Sequence, residues 1–193
     1  ALEQYNQILD GFNNRKVSGL RKSESGLKKN LSLLKKLRRQ EMLGLKKSPV
    51  EVAVEKNTWF HVGANSDQQY IYTLRRMLAP IKEHVDNNFN PVPEAYVKEY
   101  EPIRNSVNDL MKMTCDEIET NRYDQYRSIL AEADACKDQL SVIRKVHLNR
   151  IQTAADNKNL QVDMVYLNIL QETQQLLSVM RHQLRSAKKF MEN

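Results

Sequence analysis

Glycine and proline are scarce in this chain, with five of each in 193 residues. A β-rich architecture needs frequent turns, so this shortage of turn formers disfavours strands and favours helices. Long apolar runs are missing too. The longest span a few residues, as at Met164-Val165-Tyr166-Leu167, whereas a membrane-crossing helix needs about 20. No charged segment followed by an apolar one opens the chain, so no secretory leader is expected, and Ala1 in place of Met fits a fragment or a processed start. The two cysteines are too few for a disulfide scaffold. If the chain turns near Asn121-Arg122, Cys115 and Cys136 fall roughly 10 Å out of register on neighbouring helices, beyond disulfide reach. Both are read as reduced core thiols of a cytosolic protein.

Catalytic signatures are equally absent. No Ser/His/Asp or Cys/His set is indicated, no glycine-rich phosphate loop occurs, and Gly44 and Gly63 stand alone. His61, His147 and His182 have no zinc-type spacing with one another or with the cysteines. The sequence therefore predicts no enzyme, no catalytic residue, no cofactor and no metal site.

What is present is apolar periodicity and an uneven charge. The net charge is +6, yet residues 1–47 hold twelve Lys or Arg against four Asp or Glu, while the remainder holds eighteen against twenty. Basic character thus belongs to the N-terminal quarter. There Leu20, Leu27, Leu31, Leu34 and Leu37 form one helical stripe over residues 20–43. Lys28, Lys35 and Arg39 lie about 100° round from it and Lys29 and Lys36 about 200° round, which gives the helix a cationic outer face. Gly44 and Ser48-Pro49 are its expected stop.

Residues 48–65 read as a helical or irregular connector, since Val50, Val52 and Val54 alternate like an isolated strand. Helical spacing returns through Tyr70, Leu74, Met77, Ile81, His84 and Asn88, with Ser66 and Asp67 as expected caps and Pro80 as an expected kink. Asn87 to Pro93, rich in Asn and Pro, breaks the chain near its middle. Three long helices follow. The first carries Tyr96, Tyr100, Ile103, Val107, Leu110 and Ile118, with Pro102 as a bend or helix start. The second carries Tyr126, Ile129, Ala133, Cys136, Leu140, Ile143 and His147, and ends at Asp156 to Asn159. The third carries Leu160, Met164, Leu167, Leu170, Leu177, Met180, Leu184, Ala187 and Met191. The expected fold is all-α: one domain over 1–193, an elongated antiparallel bundle of two three-helix units, 1–90 and 91–193.

Several stretches carry a family resemblance: Leu37-Arg38-Arg39-Gln40-Glu41, Thr58-Trp59-Phe60-His61, Glu83 through Pro91, and the last helix from Val162 to Phe190, within it Met164 through Thr173. Over roughly residues 30–193 the chain resembles the cytosolic C-terminal, PhoU-like region of bacterial sodium/phosphate cotransporters related to the type II family. The resemblance implies a helical tail at the cytoplasmic face of the inner membrane that regulates or assembles a transporter, the ions being bound in its membrane part. PhoU proteins often hold metal on carboxylates four residues apart. Here Glu172 is followed four residues later by Leu176, so that pair is incomplete and metal binding is not carried over.

Other groups have a structural and a functional reading. Asp134 and Asp138 share a helix face and read as a solvated acidic face, or as the start of a metal site. His84, beside Glu83 and Asp86, reads as a core histidine that with Asp86 ties the helix end to the mid-chain loop, or as a proton-linked switch. Thr173 and Gln174 interrupt the apolar side of the last helix, as a hydrogen-bonded layer or as a remnant of a metal layer. The binding surface singled out is Lys28, Lys29, Lys35, Lys36, Arg38 and Arg39. It reads as a solvated face or as a contact for anionic lipid headgroups; nucleic acid is disfavoured, for want of a reading helix or stacking platform. Expected partners are the transmembrane part of the same transporter and a second copy of the chain. The competing reading is a free-standing soluble scaffold or phosphate-signalling regulator that binds protein through the same face.

Overall fold

A computed structural model shows six α-helices, and the structure describes residues 1–47, 49–154 and 158–192. The helices are α1 Leu2–Asn13, α2 Val17–Lys46, α3 Val50–Asp86, α4 Glu94–Thr120, α5 Tyr126–Thr153 and α6 Leu160–Glu192. Among the described residues there is no strand. Three helices precede the Asn87 to Pro93 break and three follow it.

α3 and α6 form the spine of the bundle. Lys56 reaches Phe190, Asp67 meets Gln183 and Arg76 meets Glu172, so the two helices run antiparallel along most of their length. α2 lies back along α3, while α4 and α5 pack on α6. α1 closes the bundle by filling the gap between α2, α3 and α4 with Tyr5, Ile8, Leu9 and Phe12, spaced three and four apart as an amphipathic helix requires. Its approach to α2 is tight. A Cβ on Gly11 would come within 2.4 Å of the fully buried Leu20 side chain, so only glycine fits there. One continuous core runs through all six helices, from Tyr5 and Leu20 through Leu74, Met77 and Ile81 to Ile129, Ile169 and Leu184.

The predicted stripes of the Tyr70 helix and of α5 are buried as expected: Leu74, Met77 and Ile81 in one, Ile129, Ala133, Cys136, Leu140 and His147 in the other. Asn87 caps α3, Asn88 takes φ 53°, and Asn121 ends α4 at φ 53°. Asparagine tolerates this left-handed region best after glycine.

The boundaries need several corrections. α2 runs three residues beyond the 20–43 span at each end and passes through Gly44. A single glycine costs a helix only about 1 kcal/mol, too little to end it where hydrogen bonding continues on both sides. Residues 50–65 take the helical of their two readings, though not as a separate connector: they are the first turns of α3, which begins directly after Pro49. With no partner strand the valine alternation has nothing to pair with, and packing against α6 decides for helix. Ser66 and Asp67 consequently lie inside α3; the Ser66 hydroxyl donates to the Val62 carbonyl at 3.0 Å. α3 continues as helix through Pro80, and α4 starts at Glu94 and passes through Pro102. Cys115 is exposed, not a core thiol, because it falls outside the arc of Ile103, Val107, Leu110 and Met111; Cys136 is buried, and both are free. The Ser48 part of the α2 stop, and Asp156 and Asn157 at the end of α5, lie outside the described residues.

Candidate functional site

The cationic face is built by the outer side of α2. Leu20 and Leu27 are fully buried and Leu31 and Leu34 partly so, which turns Lys28, Lys29, Lys35, Lys36 and Arg39 outward into solvent. Arg38 departs from the prediction. It is half-buried and lines a small groove with Glu41 and Asp67. Lys28 pairs with Glu24 one turn earlier at 3.0 Å, while Lys29, Lys35, Lys36 and Arg39 have no ion pair among the described residues. Four of the six predicted side chains therefore form one exposed and uncompensated positive strip.

The same hairpin carries apolar surface that the charge pattern did not reveal. Beyond Leu34 the leucine stripe leaves the core: Leu37 is exposed, Met42 and Leu43 after it are exposed as well, and Leu33, beside the stripe, is 52% exposed. At the start of α3, Val50 and Val54 are 73% and 71% exposed. The tip of the α2–α3 hairpin thus presents hydrophobic residues next to Lys46 and Lys47. The cue in the sequence was the valine set itself, which lacked a strand partner.

No match was found for the chain among protein-family models, curated proteins or solved structures. Among the described residues, no helix is long and apolar enough to cross a membrane.

Of the candidate metal positions, Asp134 and Glu172 are engaged by arginines and Asp138 is exposed. Asp134 is held by Arg181 at 2.6 Å. Glu172 accepts two hydrogen bonds from Arg76 Nε at 3.1 and 3.0 Å, and lies 2.9 Å from the terminal nitrogen of the same guanidinium. No three of His, Cys, Asp and Glu converge among the described residues.

His84 has the structural role. Its Nε2 donates to the Asn90 carbonyl at 2.8 Å, tying α3 to the mid-chain loop, and the ring packs edge-on against Phe12. Because a carbonyl can only accept, Nε2 carries a proton; burial lowers the His84 pKa, which favours the neutral ring, and Nδ1 is buried without a hydrogen-bond partner. Asp86 does not join this tie, as it pairs with Lys82 at 3.5 Å along its own helix. His147 shows the same pattern: Nε2 to the Asp163 carbonyl at 3.1 Å, a buried and unpartnered Nδ1, and a pKa lowered chiefly by burial. Around it Tyr96 stacks on Tyr166 at 4.8 Å, and Arg150 grips Glu99 with two bonds of 2.9 Å. Sequence reasoning found His147 on its stripe but not Tyr96, Glu99, Asp163 or Tyr166, which lie on α4 and α6.

Thr173 and Gln174 form a hydrogen-bonded layer, as the first of their two readings has it. Gln174 Nε2 donates to Ser141 Oγ at 3.0 Å. Thr173 Oγ1 donates to the Ile169 carbonyl at 2.7 Å, so it must accept from Tyr100, and the Tyr100 hydroxyl in turn accepts from Tyr5 at 2.8 Å. Burial holds the Tyr100 phenol up at about 12, so it stays a proton donor across the physiological range.

Proposed function

We propose that this chain is a non-catalytic cytosolic domain that regulates or assembles a sodium-dependent phosphate transporter at the cytoplasmic face of the inner membrane. The family reading comes from the resemblance over Glu83 to Pro91 and Val162 to Phe190. The structural observation that supports it is the exposed strip of Lys29, Lys35, Lys36 and Arg39 beside the apolar hairpin tip. Such a pairing of cationic and apolar surface suits the interface of an anionic membrane, where each nearby Lys or Arg contributes about 1 kcal/mol and apolar side chains enter the headgroup boundary. The remaining helices act as a rigid support that sets the orientation of α2. Conformational signals would pass through α3, which carries the hairpin tip at one end and the His84 tie to the mid-chain loop at the other.

The test is sodium-dependent phosphate uptake by cells producing the complete transporter or a version lacking these 193 residues, compared at equal membrane abundance. Altered uptake, altered response to phosphate supply or failed assembly is expected. Unchanged transport, regulation and assembly would remove the reading and favour a free-standing scaffold.

A further inference from the structure

A cleft of about 560 Å³ opens at the hairpin end of the bundle, between α3, α6, the end of α2 at Glu41 and Gly44, and the α4–α5 turn. α4 ends at Thr120, near the cleft, while α6 continues to Glu192 along α3, and this leaves the α3–α6 seam uncovered on the α4 side. The uncovered seam is aromatic. Trp59, Phe60, Tyr123 and Phe190 line it and all four are only half-buried, which is a large apolar surface to leave facing water. Its volume falls in the range of small-ligand sites.

Charge distinguishes the two ends of this cleft. At the outer end Lys56 is already engaged: its Nζ donates to the Phe190 carbonyl at 3.0 Å and lies 4.7 Å from the centre of the Phe190 ring. At the inner end the Asp67 carboxylate accepts one hydrogen bond, from Gln183 at 2.6 Å, and has no ion pair among the described residues. The charge that acts on it is the carboxylate of Glu41 on α2, which has the same sign; burial first, then Glu41, push the Asp67 carboxyl up to about 6. Lys35 and Arg38 line the adjoining groove with Glu41 and Asp67, and neither makes an ion pair to Asp67. Asp67 is therefore a partly desolvated anion that lacks a cation and stands at the end of an apolar trough.

We propose that this cleft binds a long-chain primary ammonium, with the charged head on the Asp67 carboxylate and the apolar tail along Trp59, Phe60 and Phe190. The ammonium brings three donors to a carboxylate that has only one, and its charge offsets the repulsion from Glu41. Asp67 and Trp59 are eight residues apart on α3, about 12 Å along the axis, so a tail of about eight carbons reaches the indole. An anionic head meets two like charges at the Asp67 end and, at the other end, Lys56 already engaged by Phe190, and a neutral one leaves Asp67 uncompensated. The inference does not depend on the transporter reading, and neither does its test.

Trp59 is the single tryptophan of the chain, so its indole N–H gives one nitrogen-15 correlation signal placed inside the cleft. Titration with octylammonium, octanol and octanoate, each below its micellar concentration, should move that signal saturably for octylammonium at concentrations at least tenfold below those octanol needs. Octanoate should not move it. Asp67→Asn keeps an acceptor for Gln183 and should abolish the preference for octylammonium while the response to octanol remains. Equal responses to octylammonium and octanol in the unaltered protein would overturn the proposal without recourse to any variant. A preference that survives Asp67→Asn, or an indole signal that never moves, would overturn it as well.

Discussion

Replacing Arg76 with alanine is expected to destabilise the fold by about 2 to 3 kcal/mol, because it strands a buried carboxylate without its counter-charge. Glu172 is 5% exposed and lies on the inner part of α6, and the Arg76 guanidinium makes three contacts to its carboxylate. A fully enclosed pair broken on one side costs about 3 to 5 kcal/mol. The lower figure applies here because the Arg76 side chain is 48% exposed, so water reaches part of the gap. Glu172→Gln should cost less, since the half-exposed guanidinium it leaves behind is easily hydrated. The double variant Arg76→Ala, Glu172→Gln should recover most of the loss. Urea denaturation gives the answer as a change in midpoint at constant slope; an Arg76→Ala midpoint equal to that of the unaltered protein would show that the carboxylate needs no partner.

Tyr100→Phe is expected to cost about 2 kcal/mol, for a related reason. The chain of donors runs from Tyr5 to Tyr100 to Thr173 and ends on the Ile169 carbonyl, with Tyr5 and Thr173 fully buried and Tyr100 nearly so. Removing the central hydroxyl leaves the fully buried Tyr5 O–H without its acceptor. Tyr5→Phe removes only the outermost donor and should cost about 1 kcal/mol or less. The order of the two losses is the prediction. A Tyr5→Phe loss as large as that of Tyr100→Phe would mean that the hydrogen bonds run in the other direction.

The bundle was legible in the sequence where a helix is buried along one face. The stripes of α5 and of the Tyr70 half of α3 follow a simple spacing of three and four, and so does the Asn/Pro break between the halves. The stripe assigned to α6 was less faithful. Leu160, Met164 and Met191 are exposed, while Val162, Val165, Tyr166, Ile169 and Leu176 are buried. α6 packs on α3, α4 and α5 at once, so its buried arc is wider than one stripe and shifted from it. The exit of the α2 leucines from the core was hidden for the converse reason. Periodicity shows which side of a helix is apolar, not how far along the helix a neighbour covers it.

The candidate site was legible in part. Five of the six basic residues face solvent as the helical geometry predicts, because charge on one helix face is a local property. Arg38 turns inward, toward Glu41 and Asp67. Contacts between distant residues had no local signature: Arg76 with Glu172, 96 positions apart, and Tyr5 with Tyr100, 95 apart. The buried polar layer at Thr173 was visible as an interruption of the apolar side, but its partners were not.

The central claim is that the exposed face of α2 meets a negatively charged membrane. Sedimentation with vesicles of phosphatidylcholine alone or mixed with phosphatidylglycerol tests it most directly. The account predicts binding only to the anionic vesicles, weakening as salt rises because exposed charges are screened beyond about 8 Å at physiological ionic strength. It also predicts loss of binding when Lys29, Lys35, Lys36 and Arg39 are all changed to glutamate. Equal partitioning to neutral and anionic vesicles, or binding that survives the four charge reversals, would contradict it.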